Sequence, residues 1–388
     1  MNLHTAATHR LAHSALALLL LAVVLTGCDS PPKRSPSGVR VVPGTASAPR
    51  LQTPQVYQPP VMIPPPTVAT QPRPQLTVIP PAPPVVIAPA PQPAPISPAA
   101  RPQWIALQTW AAQMGLPAPV RVSQTAYQVR SATGGTFQLA VGTRAAAWNG
   151  CKFHLGFAPT ATNGVPFIHA LDAEKNLAPL LQVNRPVPRG RGTIVVDPGH
   201  GGPEVGTKST LGQHYEKEWT LDWAKRLKPL LEQRGWRVVL TRTTDRGVEL
   251  PERVLIAEQQ QADLFISLHL NAAGAGAAGL ETYCLTPAGM PSTLTRNYSD
   301  PVNVTLPGNT RDFENMQLAM RIHRSLIQNV GMPDRGVQRA RFMAVLKTQQ
   351  RPAILIEGGY LSDRNEAKLL ASPDYRQKLA LAVARALE

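Results

Sequence analysis

Four residues far apart in the chain carry groups that could meet in one reaction: His200, Glu216, His269 and Glu357. His200 stands in "GTIVVDPGHGG", residues 192–202, where a short apolar run meets Asp197, Pro198 and Gly199. That break ends a strand and displays the next side chain on a turn. His269 interrupts the end of the apolar run "DLFISLHL", and Glu357 follows "AILI" directly before Gly358 and Gly359. Glu216 opens a stretch of helical spacing after a glycine-rich loop. Two imidazoles and one carboxylate make the open, three-ligand set of a catalytic zinc, whose fourth position is left to water. A second carboxylate at the same place can shuttle protons. Singly, each residue also has a plain structural role open to it: His269 as a satisfied core histidine, Glu216 as a negative charge at a helix N-terminus, Glu357 as the buried partner of an arginine. Their joint placement is what points to chemistry.

That placement requires a frame. From residue 191 onward strand and helix patterns alternate: "GTIVV", "WRVVLTR", "ADLFISLHLNA" and "PAILIEGGY" read as strands, and residues 216–234, 251–261, 314–329 and 374–387 carry helical stripes. In the first of these Trp219, Trp223, Leu227 and Leu231 share one face and Gly235 is the stop. The alternation predicts an α/β domain over residues 191–388, a largely parallel or mixed central sheet flanked by helices. His200, His269 and Glu357 all fall at carboxyl ends of strands, where open α/β sheets bind their ligands. Glu216 can swing onto the same side.

Residues 103–184 read differently. "YQVRSATGGTFQLAVGTRAAAWNGCKFHLGFAPTATNGVPFIHA" alternates apolar and polar residues between glycine-bearing turns, the pattern of a small β-rich domain. "WIALQTWAAQMGL" before it and "LDAEKNLAPLLQ" after it have helical spacing, and His154 and His169 read as ordinary strand residues. Of the 41 prolines, 23 fall in residues 31–102, so residues 29–102 are expected to be a disordered Pro-rich tether. In polyproline II at about 3.1 Å per residue it could span up to roughly 200 Å. The apolar run "ALALLLLAVVL", residues 15–25, follows Arg10 and is shorter than the roughly 20 residues of a membrane-spanning helix, which suits a signal peptide. Past residue 28 the cysteines are Cys151 and Cys284, so at most one disulfide can form, and two buried free thiols are expected. The net charge of +15 sits mostly in residues 1–190, with 14 Lys and Arg against 3 Asp and Glu. Without aromatic interleaving or a nucleic-acid motif, this excess suits anionic lipid, wall polymer or mere solubility, and no nucleic-acid partner is expected.

Three resemblances sharpen the reading. "LTGC" ending at Cys28 resembles the lipobox of bacterial lipoproteins, which implies residues 1–28 as the leader and a lipid on the Cys28 thiol; a plain secretory signal cleaved elsewhere is the alternative. Asp29 resembles the signal that keeps some Gram-negative lipoproteins in the inner membrane. The order "WNG", "L", "P", "NG" and "PFI" over about 80 residues resembles the small domain first named from the N-terminus of copper amine oxidases, an accessory domain in some wall amidases. Most specific are "VVDPGHGG", "EKEWTLDWAKRL", "TRTTDR", "ADLFISLHLNA", "NMQLA" and "PAILIEGGYLSD", which stand in the order of the zinc-dependent N-acetylmuramoyl-L-alanine amidases of the type-3 α/β family.

That likeness implies a zinc ion (Zn²⁺) held by His200, Glu216 and His269, with Glu357 as the catalytic glutamate. The substrate implied is peptidoglycan, cut between N-acetylmuramic acid and L-alanine of the stem peptide. Asn271 reads as orienting a ligand or the substrate, or else as stabilising a turn. Residues 285–313 are short and proline-rich where regulated members carry a helical plug, which argues against autoinhibition of that kind. The implied location is the cell envelope, lipid-anchored and extracytoplasmic, on the periplasmic side; an activating partner protein is left open. Two rivals remain: a zinc peptidase acting within the stem peptide, and a non-catalytic tether between membrane and wall.

Overall fold

The computed structural model describes residues 103–182, 192–274 and 276–388. The leader with Cys28 and the tether of residues 29–102 lie outside the described residues. The first half of the described chain runs β1 (Trp104–Ala106), α1 (Leu107–Gln113), β2 (Val120–Arg121), β3 (Ala126–Arg130), β4 (Thr136–Ala140), β5 (Ala145–Trp148), β6 (Cys151–His154), β7 (Thr160–Thr162) and β8 (Val165–His169). Then come α2 (Ala170–Asp172), a π-helical turn (Ala173–Leu177) and α3 (Ala178–Leu181). The second half runs β9 (Thr193–Pro198), α4 (Glu216–Glu232), β10 (Arg237–Leu240), α5 (Leu250–Gln259), β11 (Leu264–Asn271), β12 (Leu280–Leu285), α6 (Asp312–Val330), β13 (Asp334–Ala340), α7 (Ala344–Lys347), β14 (Ala353–Tyr360), α8 (Arg364–Ala371) and α9 (Pro373–Ala386).

Among the described residues, eleven strands form one mixed sheet in the order β10-β9-β11-β14-β12-β13-β6-β5-β4-β3-β2. The first four are mutually parallel, β12 runs antiparallel to β14, and β12 and β13 are parallel. The β-rich segment joins this sheet where Phe153 of β6 pairs with Val337 of β13, and from there to β2 the pairing is antiparallel. Strands β1, β8 and β7 form a separate antiparallel sheet. The mixed α/β architecture read from the strand-helix rhythm is what the structure has. β9, β11 and β14 are near-continuous apolar runs because parallel strands covered by helices on both faces must be apolar on both. Trp219, Trp223, Leu227 and Leu231 form the buried stripe of α4, and one apolar cluster runs from these through Ile266 and Met316 to Phe153, Phe137 and Trp110.

Three local departures have physical causes. Residues 104–106 pair with β8 instead of extending α1, so tertiary pairing overrides helical spacing there. α4 ends two residues early because the N–H groups of Arg234 and Gly235 turn back to the carbonyls of Leu231 and Glu232, a tightened final turn. The closing helix of the β-rich segment is broken by a π turn: Pro179 has no N–H to give the Lys175 carbonyl, which instead accepts from Arg339 Nη2 at 2.8 Å. Cys151 and Cys284 are both buried and unbridged.

Because sheet and core run unbroken through the Phe153–Val337 pair, Phe153→Ala should lower global stability by roughly 3–5 kcal/mol. It should also leave a single cooperative transition in residues 103–388. Calorimetry showing two separated transitions would mean that the two halves melt independently.

Candidate active site

The site begins with a buried charge. Asp197, near the end of β9, is wholly buried, and its carboxylate accepts from Arg253 Nη1 at 2.6 Å, Thr241 Oγ1 at 2.6 Å and Ser267 Oγ at 2.8 Å. Arg253 also donates to the carbonyls of Pro198 and His200, and Arg242 to those of Pro198, Gly199 and Lys217. Burial, together with the neighbouring Arg253, pushes the Arg242 guanidinium down to about 10, still cationic at neutral pH. These two arginines clamp the turn after β9, on which His200 sits with φ 62°, a left-handed conformation uncommon for a side-chain-bearing residue. Gly199 is required beside it, since a Cβ there would lie 2.4 Å from the His269 ring.

The clamped turn brings three sequence-distant side chains together. His200 Nε2 lies 3.1 Å and His269 Nδ1 2.9 Å from the same oxygen, Glu216 Oε1. That oxygen also accepts the Leu270 N–H at 2.9 Å, while Glu216 Oε2 accepts the Thr207 N–H at 2.9 Å. On its far side His200 Nδ1 meets Glu204 Oε1 at 3.0 Å, which orients the ring from behind. His200, Glu216 and His269 form a group able to hold a metal ion, with one donor atom each inside a 4.8 Å circle. The fit is close: donors about 2.0–2.2 Å from a tetrahedral zinc stand roughly 3.3 Å apart.

Electrostatics separates the two glutamates. Burial pushes the Glu216 carboxyl up, but hydrogen bonds from both imidazoles outweigh it and hold this group well below the usual carboxylate range. Burial likewise pushes His200 down, and the Glu216 carboxylate reverses the sign and raises it. Glu357 lies beside His269 in register on β14, opposite Glu281 on β12. Burial first, then the Glu216 charge, raise the Glu357 carboxyl well above its ordinary value, against an opposing pull from Arg296 at 4.0 Å. Its Oε2 is buried with no hydrogen-bond partner among the described residues.

All four residues picked out by sequence line one pocket of about 440 Å³, together with Asn271, Arg296, Tyr298 and Phe342. Among the described residues, Asn271 makes no hydrogen bond to either imidazole. Its amide donates to Glu281 Oε2 and accepts from Arg296 Nη2, both at 2.8 Å. Arg296 and Tyr298, from the loop between β12 and α6, were not picked out by sequence, since nothing in a proline-rich connector marks its aim. Asp197, Arg242, Arg253 and Glu281 were missed as well, although an acidic residue ending an apolar run and an arginine on an apolar helix stripe are visible signals. Cys28 lies outside the described residues.

Gly206 (φ 71°) forms the wall behind the group: a Cβ there would lie 2.6 Å from His200 Cδ2 and 2.7 Å from Glu216 Oε2. Gly206→Ala should therefore weaken zinc or cobalt binding by roughly 10- to 100-fold, the range seen when groups supporting metal ligands are disturbed. Competition against a chromophoric chelator measures it, with far-ultraviolet circular dichroism unchanged. Undiminished affinity would show that the wall yields.

Comparison with known proteins follows the same residues. The profile of the N-acetylmuramoyl-L-alanine amidase family matches residues 194–388. The Bacillus subtilis protein YqiI is 32% identical over 213 residues, which are 55% of this chain and 90% of that protein. The N-acetylmuramoyl-L-alanine amidase CwlM of Bacillus licheniformis is 32% identical over 48% of this chain and 64% of its own length. The amidase AmiC of Neisseria meningitidis is 31% identical over 54% of this chain and 56% of its own. A solved structure, the amidase AmiC2 of Nostoc punctiforme, aligns at 32% identity over 52% of this chain and 97% of that one, with a TM-score of 0.42. Half of this chain, with every residue of the pocket described above, thus lies within the family match, and the chain belongs to the N-acetylmuramoyl-L-alanine amidase family.

Proposed function

We propose that the protein is a peptidoglycan hydrolase that cleaves the amide between the lactyl group of N-acetylmuramic acid and L-alanine of the stem peptide. In this reading zinc is held by His200 Nε2, His269 Nδ1 and Glu216 Oε1. The observation that carries it is the meeting of two imidazole nitrogens on one carboxylate oxygen, beside a second carboxylate whose buried oxygen has no partner among the described residues. Family membership and the amidase names of CwlM and AmiC support the choice of bond.

Zinc in such a site supplies a Lewis acid for the amide carbonyl and makes water acidic enough to ionise near neutral pH. The chain's own residues do the rest. Glu357 takes a proton from the attacking water at Oε2 as the new bond to the carbonyl carbon forms. It gives that proton to the departing nitrogen as the carbon–nitrogen bond breaks, leaving a lactyl carboxylate and a free L-alanine amine. A carboxyl whose proton affinity is raised by burial suits this exchange better than an ordinary one. Glu216, held ionised, suits the ligand role. Arg296, bound to Asn271, offers a guanidinium to anionic groups of the substrate, and Tyr298 stacked on Phe342 at 5.5 Å offers a flat apolar face to a sugar ring.

Cys28 is proposed to carry the lipid that holds the enzyme at the membrane on the extracytoplasmic side. Residues 29–102 then form the tether, and residues 103–184 an accessory domain that meets the wall. No helix among the described residues is long and apolar enough to cross a membrane.

Digestion of purified sacculi, followed by mass analysis, tests the bond: free muramic lactyl carboxylates should appear and vanish with a chelator. New termini inside the stem peptide would favour a peptidase, and no product at all a tether. Glu216→Ala should lose zinc and activity together. Glu357→Gln should keep zinc while turnover falls by about 10² to 10⁴, since an amide preserves size but cannot accept the proton. A Glu357→Gln protein without zinc, or with near wild-type turnover, would reverse the two assignments. Cys28→Ser should move the protein from the membrane pellet to the soluble fraction with activity on sacculi unchanged.

A further inference from the structure

A second set of metal-ligating side chains lies outside the pocket, at the junction of β6 with the rest of the sheet. Cys151 opens β6, Asp334 opens β13 and His323 lies on the buried face of α6. Their donor atoms fall within 4.8 Å of one another. Two of the three, His323 and Asp334, are also oriented by outer hydrogen bonds. His323 turns Nε2 to Asp334 Oδ1 at 3.0 Å while its Nδ1 meets Thr282 Oγ1 at 3.0 Å. Asp334 Oδ2 accepts the backbone N–H of Lys152, the residue after Cys151, at 2.9 Å. Outer hydrogen bonds of this kind fix ring orientation and tautomer in metal sites.

We propose that Cys151 Sγ, His323 Nε2 and Asp334 Oδ1 bind one divalent cation of the zinc and cobalt class, a structural metal that pins β6 to α6 and β13. The donor set suits it: sulfur, imidazole and carboxylate are zinc ligands at about 2.0–2.3 Å, so their atoms stand about 3.3–3.7 Å apart around the ion. Charge suits it as well. A thiolate and a carboxylate together neutralise a dication in a place where Cys151 and His323 are almost wholly buried and an unbalanced charge would be costly. Binding replaces the contact between His323 and Asp334: the ring proton shifts from Nε2 to Nδ1, where it is donated to Thr282 Oγ1, and the Cys151 thiol gives up its proton to solvent as the sulfur–metal bond forms. The fourth position falls to water entering beside Asp334, the one of the three that is not fully buried. A nucleophilic role for Cys151 fits poorly, because burial and the Asp334 carboxylate push its thiol up to about 12.

Cobalt separates this site from the catalytic pocket, which has no thiol among its lining residues, Met343 being a thioether that gives no thiolate band. Full-length protein carrying Cys28→Ser, so that Cys151 and Cys284 are its remaining thiols, is stripped with chelator and titrated with Co²⁺. Two equivalents should bind, with a near-ultraviolet thiolate-to-cobalt charge-transfer band. Adding His200→Ala should remove one equivalent and keep the band; adding Cys151→Ser should remove the other equivalent and the band. The metal-free Cys151→Ser protein should match its metal-free parent by circular dichroism. If it does not fold, Asp334→Asn, which keeps the thiol, should weaken the band-forming site at least tenfold. A parent that binds one equivalent without a band, or a band that survives Cys151→Ser, overturns the proposal, whatever the outcome for the amidase reaction.

Discussion

A carboxylate sealed at the end of a strand cannot be left unbalanced, and the arrangement of the site follows from how Asp197 is balanced. Its three partners come from three other elements: Arg253 from α5, Thr241 from just after β10, and Ser267 from β11. Satisfying Asp197 therefore fixes the end of β9, the end of β10, the middle of β11 and the first turn of α5 relative to one another. Arg253 then reaches past it to the carbonyl of His200, so the same cation that neutralises the core holds the turn bearing an imidazole. Buried ion pairs add little net stability. Here the pair gives position, and Arg242 adds two more carbonyl contacts to the same turn and one to Lys217, tying it to the first turn of α4.

Two glutamates of identical chemistry end in opposite states because their neighbours differ. Glu216 starts a helix and accepts two backbone N–H groups besides the imidazoles, so its charge is dispersed over several donors. Glu357 lies inside a strand, opposite Glu281 and near Glu216, with Arg296 to offset them. Glu281 accepts hydrogen bonds from Asn271, Tyr283 and Arg335, which places a second polar network directly behind the pocket. Divergent proton affinities of adjacent carboxyl groups are how one pocket holds both a fixed anion and a mobile proton.

The frame of the site was legible because its signals are local. Apolar runs broken by Asp197, His269 and Glu357 mark β9, β11 and β14, although Glu357 lies inside its strand and not at its end, and the stripe of Trp219, Trp223, Leu227 and Leu231 marks the helix that carries Glu216. What could not be read depends on contacts between distant segments. No periodicity announces that Arg296, in a connector, turns back to Asn271, or that Phe153 pairs with Val337 across 184 positions. The π turn at Ala173–Leu177 rests on Arg339 filling the carbonyl that Pro179 leaves open, a compensation written in another part of the chain.

The shared sheet also bears on solubility. Without β6, strand β13 would end the amidase sheet as seven residues of mostly buried backbone with an open row of donors and acceptors. Such a row is a template for pairing with any other extended chain. With β6 in place that open row moves outward to β2, two residues long, while the opposite edge is β10, four residues long. Both are too short to nucleate much pairing, so the length of its outermost strands limits how readily this sheet takes up another extended chain.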